Sequence, residues 1–379
     1  MHKICKTISD NYKFSYNLDS ILSRLIYGRI LFPSSKLNTY QESNKLLEQP
    51  DFKLHHVCRA LEVIAKETDF IQSELYKNSL SISKRNDKIL YYDCTNYFFE
   101  IEEADGLKQY GVSKETRPNP LIEMGLFMDG DGIPLAFNIH SGNTNEQTTL
   151  KPLEEKILKD FELARFVVCT DAGLSSTSNR KFNNKQGRSF ITTQSIKKLK
   201  GHLKEWALDP SGWHLTGRKG SYNISILEED EAAYEKYKSE TFYKERWINE
   251  NGLEQKLIVT YSLKYRDYQR QIRNKQLDRA SKQVEQNPTS INKRKQNDPK
   301  RFITSTNVTK DGEVANKVVH SINTDAVKKE EMYDCFYAVC TNLEDEASTI
   351  MSIAYKSDHK CLFLNHPVPQ IRPSSALTR

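Results

Sequence analysis

The chain has 379 residues, of which 37% are hydrophobic and 28% are charged, and this length predicts two or three domains, or one domain with a large insertion. The longest apolar runs, such as residues 166–169, are too short to cross a bilayer, and the start lacks the apolar segment of a secretory signal, so we expect a cytoplasmic protein with no membrane partner. The formal net charge of +6 is compatible with a polyanionic partner but does not demonstrate one.

The cysteines indicate neither a zinc site nor a redox motif. Zinc sites and redox motifs typically contain a C-x-x-C pair. The seven cysteines are scattered, and no such pair occurs among them. We therefore interpret them as reduced. Cys94, Cys169, Cys335 and Cys340 lie in apolar, strand-like runs, where a thiol packs as a small hydrophobe.

Residues 1–86 are predicted to form a helical N-terminal region. Apolar residues recur there at helical spacing from about residue 18 to residue 80, the pattern of an amphipathic helix. The sequence Pro33-Ser34-Ser35 interrupts the pattern, and either serine is suited to cap the helix that follows. The composition turns polar at residues 83–87, where we place a domain boundary.

Residues 87–200 predict a sheet with helices. Ile89–Phe99 is rich in aromatic and apolar residues, as expected of a central strand. Apolar runs on both sides of the sequence DGDG at residues 129–132 predict a hairpin, so three adjacent antiparallel strands are expected. A helix with Pro152 in its first turn comes next, then a short buried strand at Phe166–Thr170 and another strand at Arg188–Ile196. The fold class is therefore α/β, in the order three strands, helix, strand, helix, strand.

Residues 201–332 are less regular and resemble an insertion. They include a short strand at Lys256–Leu263, an acidic helix at Leu227–Lys238, and a basic segment at residues 264–301 with twelve Lys or Arg against four Asp or Glu. A final apolar strand, Tyr333–Thr341, leads into a helix whose pattern fails after Ile353.

Two aspartates are the leading candidates for chemistry. Asp93 lies within an aromatic strand, where a carboxylate must be paired, hydrogen-bonded or metal-bound; a strand-end salt bridge is the alternative. Asp171 ends an apolar strand just before a helix, at the edge where α/β sheets collect ligands; a turn-forming Asp-x-Gly is the alternative. Because their strands can lie side by side, the two carboxylates could share a divalent ion such as Mg²⁺, which prefers oxygen ligands.

Four sequence blocks, two of which contain these aspartates, resemble those of a known family. YDCTNYFF at residues 92–99, the block 125–146 ending in SGNTNE, and VVCTDAGLSS at residues 167–176 resemble the first and second acidic blocks of insertion-sequence DDE transposases. YSLKYRDYQRQIR at residues 261–273 is similar to the insertion segment of that group. The resemblance covers roughly residues 12–353, and the order of the blocks is more telling than any one of them.

The resemblance implies a ribonuclease-H-like fold in which Asp, Asp and Glu hold two Mg²⁺ ions, or Mn²⁺, for cleavage of element ends and strand transfer into target DNA. Asp93 and Asp171 would be the first two catalytic and metal ligands. The third, a Glu in a Y-x-x-R-x-x-x-E motif on the helix after Tyr333–Thr341, has no counterpart in this sequence. Residues 344–346 are acidic but come too early. Asp358 lies nearer the expected distance but lacks both the preceding Arg and the helix.

The missing motif leads us to expect a transposase-derived chain that is catalytically impaired. Residues 87–200 and 333–353 would form the core, and residues 354–379 a tail read out of frame. The N-terminus would be shortened as well.

In this interpretation the basic segment contacts DNA phosphates, with salt-sensitive binding. The residues involved would be Lys264, Arg266, Arg270, Arg273, Lys275 and Arg279. The alternative is a solvated, salt-bridged helix. Tyr265 and Tyr268 could stack on bases, whereas core packing is favoured for the three tryptophans.

Two other functions stay open. One is a non-catalytic DNA-binding or inhibitory fragment, acting as a homodimer or paired with an intact transposase. The other is a different nuclease of the ribonuclease-H fold, which the large insertion argues against. No H-E-x-x-H, G-x-S-x-G or phosphate-loop motif is present, so other hydrolytic chemistries have no support.

Overall fold

The computed structural model describes residues 1–114, 117–185, 187–286, 298–307 and 318–361. In these ranges the protein is mixed α/β, and the chain divides into two compact units, Met1–Thr192 with Ser352–Arg379, and Thr193–Met351. None of the helices in the described part of the chain is long and apolar enough to span a membrane.

The first unit begins with the helical region that the sequence predicts. Its helices are α1 (His2–Tyr12), α2 (Leu18–Leu31), α3 (Lys36–Ser43), α4 (Leu54–Lys66) and α5 (Thr68–Ser79). The Ser35 side chain accepts a hydrogen bond from the Asn38 backbone N–H, which confirms one of the two predicted caps. Apolar side chains at helical spacing, among them Ile4, Ile8, Ile21 and Val57, form a shared core, so burial of these faces stabilises the region.

A mixed sheet follows in the same unit. Its elements are β1 (Ile89–Phe98), β2 (Leu121–Asp129), β3 (Pro134–Ser141), α6 (Leu150–Asp160), β4 (Val167–Thr170), α7 (Thr177–Phe182) and β5 (Ser189–Thr193). The strand order is β3-β2-β1-β4-β5, with β1, β2 and β3 antiparallel and β1, β4 and β5 parallel. The predicted α/β class and order of elements are confirmed.

The β2–β3 turn is held by a buried ion pair. Asp129 Oδ1 accepts hydrogen bonds from the backbone N–H groups of Asp131 and Ile133, and Gly132 has a φ of 82°, a conformation that glycine adopts without steric cost. Asp129 Oδ2 lies 2.5 Å from Arg85 Nε, and both side chains are buried. The hairpin predicted from DGDG is therefore present and is tied to the segment before β1.

The second unit contains a second set of paired strands. Its elements are α8 (Gly201–Leu208), β6 (His214–Leu215), α9 (Ile226–Glu229), α10 (Glu231–Tyr237), β7 (Phe242–Glu250), β8 (Leu253–Tyr261), α11 (Leu263–Gln286), β9 (Ile303–Asn307), β10 (Val318–Ile322), α12 (Thr324–Glu331) and β11 (Phe336–Thr341). Strands pair in the order β11-β8-β7-β6, and β9 pairs with β10.

The region predicted as an irregular insertion is thus more ordered than expected. β7 and β8 form a long hairpin closed by Asn251 and Gly252, which have φ values of 54° and 73°, as an Asn-Gly turn requires. β8 pairs with β11, the strand predicted to be the last of the core. The predicted acidic helix is broken into α9 and α10.

The last described helix, α13 (Ala347–Cys361), corrects another prediction. The sequence pattern predicts that the helix stops after Ile353, but the helix continues because Ala354 is buried four residues after the buried Ile350 and so extends the same apolar face. The expectation that Asp358 lies outside a helix was therefore wrong. The Tyr91 hydroxyl on β1 donates to the Ile353 carbonyl at 3.4 Å. The proline-containing stretch 366–373 lies outside the described residues.

Candidate functional site

Asp93 and Asp171 lie on neighbouring parallel strands. The register of β1 and β4 pairs Tyr91 with Cys169 and Tyr92 with Thr170, so Asp93 is the next residue of β1 and Asp171 is the residue directly after β4. Residues opposite each other in a parallel pair project to the same face, and the strands are about 4.8 Å apart. The structure therefore brings together the two acids that the sequence singled out.

Asp93 is buried, with 9% of its surface exposed. Its Oδ1 accepts a hydrogen bond of 2.8 Å from the Cys94 backbone N–H. Burial raises the pKa of Asp93 to about 6; the Lys114 ammonium opposes this rise, and the carboxylates of Asp171 and Glu146 add to it. Asp93 is thus a carboxylate whose ionisation depends on nearby positive charge.

Asp171 is exposed and follows β4 directly. Its Oδ1 accepts a 3.0 Å hydrogen bond from the Leu174 backbone N–H, and its carbonyl accepts one from Thr192 Oγ1 at 3.3 Å. The Asp-x-Gly turn considered as the structural alternative is therefore formed. The same carboxylate acts electrostatically on Asp93, so the turn also holds Asp171 beside the buried acid.

Two charged residues that the sequence did not single out complete this group. The Lys114 ammonium donates to the Cys94 carbonyl and lies 3.6 Å from Glu146 Oε1. Burial lowers the pKa of Lys114, but the carboxylates of Asp93, Glu146 and Asp171 outweigh that effect and raise it. Glu146 belongs to the SGNTNE block, which was a usable signal; Lys114 lies in a loop without a pattern.

A further buried acid, Glu123 on β2, interacts with the same group. Burial, together with the charge of Glu146, raises the pKa of Glu123 to about 7, and Lys114 opposes the rise. Its Oε2 is buried without a hydrogen-bond partner among the residues that the structure describes. Glu123 is therefore neutral or ionised according to the charges around it near pH 7.

Asp93 and Asp171 offer carboxylate oxygens as ligands for a hard divalent cation, but two side chains do not complete its coordination. Within the described residues, no group of three or more His, Cys, Asp or Glu side chains is arranged to hold a metal ion. Asp93 and Asp171 fit an ion that keeps several waters, as Mg²⁺ does. Like charges held together beside a buried carboxylate are a chemical reason for a cation there.

The helix expected to carry the third acid lies on the face of Asp93. Tyr91 and Asp93 are two residues apart on β1 and so project to the same face, and the Tyr91 hydroxyl contacts the Ile353 carbonyl of α13. Residues 347–356 of this helix include no Asp or Glu. Residues 344–346 precede the helix, and the carbonyls of Glu344 and Asp345 accept hydrogen bonds from Lys256.

The basic helix α11 in the second unit has two different faces. Arg273 is buried, with Nη1 2.5 Å from Asp334 Oδ1 and Nη2 3.3 Å from Glu331. Arg266 is buried as well and pairs with Asp267, and Arg270 lies 3.8 Å from Asp334. For Arg266 and Arg273 the expected DNA contact has to be revised, because their guanidinium groups are enclosed in ion pairs of the fold.

The opposite face of α11 is exposed. We call it the basic stripe, and it consists of Lys264, Tyr268, Lys275, Arg279 and Lys282, all exposed. At 100° per residue these positions fall within about 60° of one another around the helix axis. The predicted DNA-binding residues Lys264, Lys275 and Arg279 therefore share one solvent-facing surface. Lys293, Arg294 and Lys295 of the predicted basic segment lie outside the described residues.

Comparisons with known proteins give only distant similarities. No family model matches the chain. No curated protein matches it either. Among solved structures, a piggyBac transposase synaptic complex with hairpin DNA aligns at 10% identity with a TM-score of 0.36, covering 65% of this chain and 48% of that one. A Mos1 transposase paired-end complex with the left transposon end aligns at 12% identity with a TM-score of 0.19, covering 43% and 55%. The chain thus spans about half the length of each, and similarities of this size assign neither a family nor a fold.

The three tryptophans divide as their burial dictates. Trp213 is fully buried and packs against Tyr261 and Phe336, so core packing holds for it. Trp206 is half-buried beneath Lys244 and Arg246. Trp247 is 44% exposed.

Proposed function

We propose that this chain is a transposase-derived DNA-binding protein whose metal-dependent strand-cleavage site is impaired. The observation that carries the proposal is the register of β1 and β4, which sets the buried Asp93 beside Asp171 at the point where β4 ends. These are the two acids that the resemblance to insertion-sequence DDE transposases assigns as ligands.

The arrangement of the first unit supports a ribonuclease-H-like core. Three antiparallel strands are joined through β1 to two parallel ones in the order β3-β2-β1-β4-β5, with α6 and α7 in the connections. This is the order of elements expected from the sequence, and it places Asp93 of β1 at the edge where the parallel strand β4 ends. Ligands of open α/β sheets collect at such an edge.

Asp93 and Asp171 would each supply carboxylate oxygen to a divalent ion. Bound there, Mg²⁺ or Mn²⁺ would polarise a phosphodiester and lower the pKa of a coordinated water. The two side chains would orient the ion through the fixed positions of their strands, since Asp93 is held by the Cys94 N–H and Asp171 by the Leu174 N–H.

The third ligand is the weak point of this site. Residues 347–356 of α13 include no Asp or Glu, so the part of the helix that contacts β1 through Ile353 offers no carboxylate. Two carboxylates retain less of the charge that a second ion needs, and phosphoryl transfer relies on that electrostatic stabilisation. This favours DNA binding with little or no cleavage, which is the non-catalytic alternative raised by the sequence.

The basic stripe of α11 would contact DNA phosphates. Four cations on one helix face, Lys264, Lys275, Arg279 and Lys282, match the pattern of a phosphate-contacting surface. Each neutralised phosphate releases counterions, so the affinity should fall steeply with salt.

The purified full-length protein tests the proposal. We would measure binding by gel shift and nicking by denaturing gel, using duplexes that contain the DNA flanking the gene and an unrelated duplex, with Mg²⁺ or Mn²⁺. We expect salt-sensitive binding with cleavage absent or very weak. Robust end-specific nicking would refute the impairment, and nicking of both duplexes alike would indicate a nuclease of another kind. Absence of DNA binding at low salt would refute the proposal as a whole.

A further inference from the structure

Beyond the end of β4, one edge of β1 is occupied by a lysine side chain. β4 ends at Thr170, which pairs with Tyr92, whereas β1 continues to Phe98. The Cys94 carbonyl in this extension accepts a hydrogen bond from the Lys114 ammonium. A buried strand carbonyl needs a donor, and here the donor carries a positive charge one residue from Asp93.

This ammonium group lies among the acids of the site. Glu146 Oε1 is 3.6 Å from Lys114 Nζ, and the charges of Asp93 and Asp171 also act on Lys114. The buried Glu123, whose Oε2 has no hydrogen-bond partner among the described residues, interacts with Lys114 and Glu146 too. One lysine therefore balances several carboxylates that would otherwise repel one another.

We propose that Lys114 is the built-in counter-cation of the carboxylates of Asp93, Asp171 and Glu146, and that a divalent ion binds to Asp93 and Asp171 only in competition with its ammonium group. The inference rests on the metal site of the proposed function and adds a regulating residue to it. Lys114 is a positioning residue in this scheme, because it acts through the charge of the ligands.

Competition follows from electrostatics. An ammonium a few ångströms from a divalent ion repels it, and at the effective dielectric of a partly buried site that repulsion is substantial. The lysine side chain is long and flexible and is half-exposed here, so it can move out to solvent when the ion arrives. The cost of moving it lowers the apparent affinity for the ion.

The experiment measures Mn²⁺ binding to the full-length protein without DNA, by following free Mn²⁺ with electron paramagnetic resonance. Lys114→Gln keeps a donor for the Cys94 carbonyl and removes the charge, and we expect it to tighten Mn²⁺ binding by at least about tenfold. Lys114→Arg keeps the charge and should bind as the wild type does. Lys108→Gln is the matched control, since Lys108 pairs with Asp105 at 2.8 Å, and it should leave the affinity unchanged.

A second readout covers the case in which Lys114→Gln folds poorly. The rise in melting temperature produced by saturating Mn²⁺ should be larger for Lys114→Gln than for the wild type, since the ion replaces the lost charge. Unchanged or weaker Mn²⁺ binding by Lys114→Gln, with binding still abolished by Asp93→Asn, would refute the role of Lys114 and leave the metal site standing. Absence of Mn²⁺ binding by both the wild type and Lys114→Gln would refute the metal site itself.

Discussion

Replacing Asp93 by Asn should stabilise the folded protein at neutral pH when divalent ions are absent. Burial raises the pKa of Asp93 from 3.8 to about 6, so the folded chain holds this proton more tightly than the unfolded chain does. The stabilisation from the protonated form is complete below pH 3.8 and is lost as the pH rises through 6. Asn is neutral throughout and does not lose it.

The size of the effect follows from the two pKa values. The difference between 3.8 and about 6 corresponds to about 3 kcal/mol in the free energy of unfolding. The free energy of unfolding of Asp93→Asn should therefore be larger than that of the wild type by up to about 3 kcal/mol at pH 7.5, and the two should be nearly equal at pH 4.

Urea unfolding in EDTA at pH 4, 5, 6 and 7.5, followed by circular dichroism, measures the difference. Asp10→Asn, at an exposed position of α1, is the control and should follow the wild type at every pH. An Asp93→Asn protein that is less stable than the wild type at pH 7.5 would show that the ionised carboxylate stabilises the fold. Burial would then not raise the pKa of Asp93. As a separate expected result, adding Mn²⁺ in place of EDTA should stabilise the wild type and not Asp93→Asn.

Three other predictions concern the turn, the basic stripe and the β7–β8 hairpin. Arg85→Met leaves the Asp129 carboxylate buried without its partner and should lower the free energy of unfolding by about 3–5 kcal/mol; a loss below about 1 kcal/mol in urea unfolding would contradict the role given to this pair. Substituting Gln at the four cations of the basic stripe should weaken DNA binding and reduce the slope of log affinity against log salt by up to about 3.6, whereas an unchanged slope would remove α11 from the DNA surface; the matched control substitutes Gln at Lys36, Lys66, Lys159 and Lys219. Gly252→Ala forces a side chain into a φ of 73° and should cost about 1–2 kcal/mol by thermal unfolding, while Gly201→Ala, where an added Cβ meets nothing within 4 Å, should cost nothing; equal effects of the two would argue against strain at the turn.

Local chemistry explains what the sequence predicted correctly. The DGDG turn and the cap at Ser35 each depend on a few adjacent residues, so they could be read directly. Two apolar strands that each carry an acid were enough to predict that Asp93 and Asp171 come together, because both strands belong to one sheet. Asn251-Gly252 was an equally local signal for the β7–β8 hairpin, and it was overlooked.

Non-local contacts explain what the sequence could not give. Lys114 and Glu146 are far apart in sequence, and their 3.6 Å contact joins the segment between β1 and β2 to the segment between β3 and α6. Counting charges in residues 264–301 could not separate the exposed cations from Arg273, which pairs with Asp334 and Glu331, and from the buried Arg266, which pairs with Asp267. Helical phase would have helped, since Arg266 and Arg273 are seven residues apart and share the face of Leu263 and Ala280, both buried.

The two faces of α11 also limit how much DNA this helix can cover. Arg273 on the inner face ties the helix to Asp334 and Glu331, so the outer cations lie along one helix that has little freedom to wrap around DNA. From Lys264 to Lys282 the basic stripe is about 27 Å long at 1.5 Å per residue, which is the length of about eight base pairs. A nuclease-protection footprint from this helix alone should be shorter than one turn of the double helix, and any longer footprint must come from other parts of the protein.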